Sequence, residues 1–92
     1  MPSGPVSQAI AAKLTAALAP QRLEVEDDSA RHAGHAGHRP GGETHFNVSI
    51  VSARFAGLSR LERQRLVHRI LADELAGPVH ALSIRARAPG EA

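Results

Sequence analysis

The 92-residue sequence has no cysteine, no tryptophan and no tyrosine, and only one of its eleven cationic side chains is a lysine. Each absence removes a class of answer. Without thiols there is no disulfide framework and no self-contained thiolate site, so a metal could be held only through nitrogen and oxygen. With two phenylalanines as the aromatic content, the core must be aliphatic, and platforms for stacking unpaired bases are nearly lacking. No apolar run approaches the roughly 20 residues that span a bilayer. The start, Met1-Pro-Ser-Gly-Pro5, has no basic segment before an apolar stretch, which argues against a secretory signal. The expectation is a soluble, cytoplasmic protein.

What is present is modest in charge. Eleven cations face nine anions for a net +2, so the high isoelectric point reflects arginine content and gives little reason to expect nucleic acid. A hydrophobic content of 42% suits a globular fold. The length suits a single domain, residues 1–92, with a modest core. An enzyme reading is poor. There is no cysteine nucleophile, no Ser-His-Asp ordering and no pair of carboxylates in a plausible cleft, and a chain this short has little room for one.

The histidines are the most informative residues. All six lie between positions 32 and 80. His32, His35 and His38 sit in Arg31-His-Ala-Gly-His-Ala-Gly-His-Arg39, His45 in Gly41-Gly-Glu-Thr-His-Phe46, and His80 in Val79-His-Ala-Leu-Ser-Ile84. Neutral imidazole is a common metal ligand. Five histidines in loop-like or strand-edge positions make the chain a candidate metal or cluster binder. The i, i+3, i+6 spacing in the loop could also wrap one zinc or nickel ion, although it matches no closed zinc motif. Plainer readings stand beside these. The loop histidines could be polar filler, His45 could be exposed strand polarity, and alternation would put His80 on one strand face with Leu82 and Ile84, as a core-edge residue.

Val6, Ile10, Leu14, Ala17 and Leu18 form a helical stripe from Pro5 to Leu18. Ser3 or Gly4 can cap it, Pro5 suits the first turn, and Pro20 ends it. Leu23 and Val25 alternate with charged residues in a short strand. Residues 30–43 form a polar, Gly-rich loop with no apolar anchor, so mobility is expected there. Residues 44–51 alternate as a second strand, antiparallel to the first, with Phe46, Val48 and Ile50 on one face. After a bend at Phe55-Ala-Gly57, Ser59 and Glu62 form a capping box that opens a long helix running to about Ala76. Gly77 and Pro78 stop it. Residues 79–87 read as the last strand and 89–92 as a frayed tail. The fold class is α+β, with helices on one face of a three-stranded sheet.

These segments resemble the BolA family. The matching stretches are Leu23-Glu-Val25 with Asp28-Ser29, His32-Ala-Gly-His35, Gly42-Glu-Thr-His-Phe46, Ile50-Val-Ser52, Phe55-Ala-Gly57 with Ser59-Arg60, Arg63-Gln-Arg65, Leu71-Ala-Asp-Glu-Leu75 and Val79-His-Ala-Leu82. Their order and spacing together are specific. The resemblance implies a class II KH-like fold, α-β-β-α-α-β, and a monothiol (CGFS-type) glutaredoxin as partner. It further implies a 2Fe–2S cluster shared with that partner and glutathione, in cluster delivery or iron regulation. By position, the ligand histidine at the last strand is His80. The second would come from the loop or its edge, where His32, His35, His38 and His45 stand open as choices. The family usually has Arg-His-Arg early in the long helix. Here Gln64 takes the middle place, so no role of that histidine transfers.

A cluster of this kind needs four ligands. The partner's cysteine and a glutathione thiol could supply two and two histidines the others, a mixed set that raises the reduction potential. Some family members are also reported to bind DNA and regulate transcription. On that alternative reading Arg54, Arg60, Arg63 and Arg65 would contact the partner or nucleic acid, the helix acting somewhat as a recognition helix. Against it, Glu62 with Arg65 and Arg69 with Asp73 read as a solvated, paired face. Only Gly57 stands in the turn where an RNA-clamping GXXG loop would be.

Overall fold

The computed structural model describes residues 4–28 and 43–91. The order is α1 (Pro5–Leu18), β1 (Arg22–Asp27), β2 (His45–Val51), a 3-10 turn (Ala53–Phe55), α2 (Arg60–Ile70), α3 (Ala72–Ala76) and β3 (Ala81–Arg87). His32, His35 and His38 lie outside the described residues. Central β2 pairs antiparallel with β1 and parallel with β3, giving the sheet order β1-β2-β3. A parallel pair needs a crossover, and α2 with α3 supplies it. No helix among the described residues is long and apolar enough to cross a membrane.

Strand alternation decides the faces. Phe46, Val48 and Ile50 of β2 are buried, and the register sets Leu23 and Val25 of β1 and Leu82, Ile84 and Ala86 of β3 beside them. Ile10, Leu14 and Leu18 of α1, with Val67 and Leu71 beyond them, close the core from one side. Both phenylalanines, Phe46 and Phe55, are buried, so the chain's scarce aromatic surface is spent on packing.

The helix expected to run unbroken to about Ala76 divides at Leu71. Leu71 is fully buried and leaves helical geometry at φ −100°, ψ 22°, while its N–H still reaches the Val67 carbonyl at 3.0 Å. The two helices of the α-β-β-α-α-β order are therefore α2 and α3, and the bend at Phe55 is a 3-10 turn before them. Ser59 caps α2 as expected: its hydroxyl accepts from the Glu62 N–H at 3.1 Å and its own N–H donates to Glu62 Oε1 at 2.8 Å. The last strand begins at Ala81 rather than Val79.

The cap of α1 comes from a distant residue. Gly4 is the N-cap and has no side chain to offer. Glu43, at φ 64°, turns its carboxylate onto the helix end instead, where Oε2 accepts from the N–H groups of Val6 and Ser7, both at 3.0 Å. A Cβ at position 4 would collide with that carboxylate, so a larger residue there would push the cap off the helix end. The other end of α1 is held by Ser52, whose buried hydroxyl donates to the Leu18 carbonyl at 2.6 Å.

Lys13 joins α1 to α3 through Glu74 at 2.9 Å and Asp73 at 3.5 Å. Asp73 thus meets Lys13, not the Arg69 expected four residues before it. Residues 89–91 are not a frayed end. Glu91 forms a two-pronged pair with Arg63, at 2.5 and 2.8 Å, and also accepts from the Ala88 N–H at 3.0 Å.

Three outcomes follow from these contacts. Glu43→Ala should lower stability by about 1 kcal/mol, the usual worth of an N-cap. Gly4→Ala should cost at least as much in the native chain but little in the Glu43→Ala background, a non-additivity readable in urea unfolding. The Arg63 guanidinium holds the Glu91 carboxyl at about 2, below its ordinary 4.5. A lowered folded pKa stabilises above the unfolded value and is lost as pH falls toward the folded one. The stability advantage of the native chain over Glu91→Gln should therefore shrink between pH 4.5 and 2.

Candidate functional site

Two of the histidines meet at one end of the sheet. The rings of His45 and His80 are stacked with centroids 6.3 Å apart and planes 15° apart. His45 is the first residue of β2 and half-buried, whereas His80 is exposed and stands one residue before β3. Alternation predicted a core-facing His80. Because it precedes the strand, alternation does not govern it, and buried Val79 takes the inward place.

The backbone explains why the pair forms. The Thr44 carbonyl accepts from the N–H of His80 at 2.7 Å and of Ala81 at 3.2 Å. These bonds begin the parallel pairing, so the residue before His45 grips His80 directly. On the other side, Val79 donates its N–H to the Glu74 carbonyl at 3.0 Å. His80 is therefore anchored through the core and through the sheet while its ring stays in solvent.

The Thr44 hydroxyl lies 2.8 Å from His45 Nδ1. If it accepts the Nδ1 proton, the Nε2 lone pair becomes the ligating one, and the hydroxyl orients the ring from behind, as outer partners of metal-binding histidines commonly do. Thr44 is fully buried, which fixes the hydroxyl behind the half-buried ring. Among the described residues no group of three or more His, Cys, Asp or Glu could hold a metal ion. The pair can thus fill about half of a four-ligand shell, and the rest must come from elsewhere.

The remaining residues expected to act are placed differently. His32 and His35 lie outside the described residues. His68 is exposed on α2, away from any assigned role. Arg63 does not present a free guanidinium: besides Glu91, its Nε donates to the Leu58 carbonyl at 3.1 Å and its Nη1 to the Ala86 carbonyl at 3.3 Å. Gln64, where the family usually has histidine, donates Nε2 to the Ile84 carbonyl at 3.0 Å. Arg54, Arg60 and Arg65 remain exposed. Sequence reasoning missed Thr44 and Glu43. Both stand in the quoted Glu-Thr-His-Phe motif, which was read for its histidine alone.

Comparison with known proteins follows the same lines. A family model described as BolA-like protein (BolA) matches residues 14–91. Human BolA-like protein 1 is 56% identical over 88 residues, covering 96% of this chain and 61% of the relative. The chain therefore spans about three-fifths of that relative's length. SufE-like protein 1, chloroplastic/mitochondrial, from Arabidopsis thaliana is 52% identical over 83 residues, covering 86% of this chain and 22% of the relative. Among solved structures, the BolA domain of SufE1 from Arabidopsis thaliana matches with a TM-score of 0.88 at 48% identity, over 98% of this chain and 99% of that one. The solution structure of mouse BolA1 matches at 0.78 and 52% identity, over 95% and 68%.

The hydroxyl of Thr44 gives a direct test. Thr44→Val keeps the buried shape and should remove the contact to His45. The expected result is a shift of the His45 ring nitrogen resonances and a stability loss of about 1 kcal/mol, the net worth of one hydrogen bond, with His80 resonances moving less.

Proposed function

Because the chain belongs to the BolA family, we propose that it is an adaptor that binds a monothiol glutaredoxin and shares a 2Fe–2S cluster with it, His45 and His80 being the ligands on this side. The observation that supports this most is the approach of the two imidazoles at an exposed sheet end, in a chain that has no cysteine. The donor set fits one half of a mixed cluster. Two neutral nitrogens are offered, and the thiolates must arrive from the partner's cysteine and from glutathione.

Bound there, the cluster would supply one-electron chemistry and a transferable unit of iron and sulfide. The chain's own residues do the positioning. Thr44 holds His80 by its carbonyl and orients His45 by its hydroxyl. Exposure of the His80 ring leaves room for a second protein to close over the pair. Histidine in place of thiolate raises the potential relative to an all-cysteine cluster. Each ligand binds through an unprotonated ring nitrogen. His45 is the loop-edge ligand favoured by this geometry.

The test is anaerobic reconstitution with a monothiol glutaredoxin, glutathione, iron and sulfide, followed by size exclusion and visible circular dichroism. A coloured heterodimer with a spectrum distinct from that of the glutaredoxin homodimer is expected. His80→Ala and His45→Ala should each return the homodimer spectrum or bleach the complex within the same period. If His80→Ala left spectrum and cluster lifetime unchanged, the ligand assignment would fall.

A further inference from the structure

The sheet face turned away from the core plays no part in the cluster reading. Asn47 and Ser49 of β2 and Ser83 of β3 line an open trough of about 1080 Å³ there. Its two sides differ in charge. Glu24 and Glu26 of β1 line one side, and Arg85 and Arg87 of β3, joined by Arg60 of α2, line the other. The register puts Glu24, Ser49 and Arg85 in one row across the three strands. Neighbouring strands are about 4.8 Å apart, so acid and base are separated by roughly 10 Å of backbone across a low serine.

The two sides are unequally satisfied. Glu26 accepts from the Asn47 amide at 2.9 Å, and Glu24 lies 3.6 Å from Arg22. Arg63, which also lines the trough, is matched by Glu91. Arg60, Arg85 and Arg87 have no carboxylate partner among the described residues. Arg87 goes further: its Nε is buried and meets no hydrogen-bond acceptor. A buried donor left without an acceptor is costly, and the part of the Arg87 side chain that lines the trough is what a ligand oxygen would meet.

We propose that this trough binds a short zwitterionic peptide lying across the strands, its terminal carboxylate held by Arg85, Arg87 and Arg60 and its ammonium group turned toward Glu24 and Glu26. Guanidinium forks match carboxylate oxygens in shape as well as charge. The acidic side excludes a polyanion: a nucleic-acid strand crossing the face would bring phosphates against two carboxylates. The row spacing suits the separation of the ends of a two- or three-residue peptide. His45 and His80 take no part, so this inference and the cluster reading can fail separately.

The experiment is a titration of the uniformly ¹⁵N-labelled full chain with triglycine, followed by amide shifts. Saturable movement at Ser49, Ser83 and Arg85 is expected. N-acetyl-triglycine and triglycine amide, each lacking one end charge, should bind about tenfold more weakly, the ordinary worth of one charge-assisted contact. Arg85→Gln, at an exposed position, should weaken triglycine binding similarly with the spectrum otherwise preserved, and Glu24→Gln with Glu26→Gln should abolish the preference over the acetylated peptide. Unmoved amides would overturn the proposal. So would equal binding of the acetylated peptide, or a DNA oligonucleotide binding the same amides more tightly than triglycine.

Discussion

The carbonyl of Thr44 receives two N–H groups, from His80 and from Ala81. That oxygen starts the parallel pairing of β2 with β3, and it settles where the crossover through α2 and α3 must end. Had the pairing begun one residue later, alternation would have exchanged the faces of β3 and turned Leu82 and Ile84 out of the core. The residues around Thr44 share the load. Glu43, just before it, holds the first turn of α1 and takes Asp27 onto its own N–H at 3.0 Å. His45, just after it, is oriented by the Thr44 hydroxyl. Three consecutive residues thus tie a helix end, a strand register and a ring contact together.

Much of this architecture was legible in the residues. The stripe from Pro5 to Leu18, the capping box at Ser59 and Glu62, and the alternation through Phe46, Val48 and Ile50 each obey a local rule, and each element stands where the rule puts it. Departures occur where a distant group decides. The break at Leu71 comes with a fully buried side chain, which no local pattern announces. The capping of α1 depends on a carboxylate 37 residues away from Val6. Glu91 reads as part of a polar tail until Arg63, 28 residues earlier, is brought beside it.

The site was legible in part for the same reason. A resemblance by position singled out His80, and an exposed strand start made His45 one of several choices. Only the parallel register brings the two rings to 6.3 Å. Arginine content was the more misleading signal. Counting cations on α2 treats Arg63 as available, whereas its guanidinium is taken up by Glu91 and by two backbone carbonyls. A charge that closes the chain's own C-terminal segment has little left to offer a partner.

The grip of α2 on β3 has an effect on how the sheet could grow. Gln64 and Arg63, adjacent on the helix, cover the outward carbonyls of Ile84 and Ala86, which an incoming strand would need. The opposite border, β1, has no strand on its outer side among the described residues; its alternate charged residues, Arg22, Glu24 and Glu26, are what guards it. Among the described residues, β1 is therefore the border at which the sheet could grow. A strand added there would lengthen it away from the border that α2 covers, leaving the junction of β2 and β3, and the two imidazoles at its tip, undisturbed.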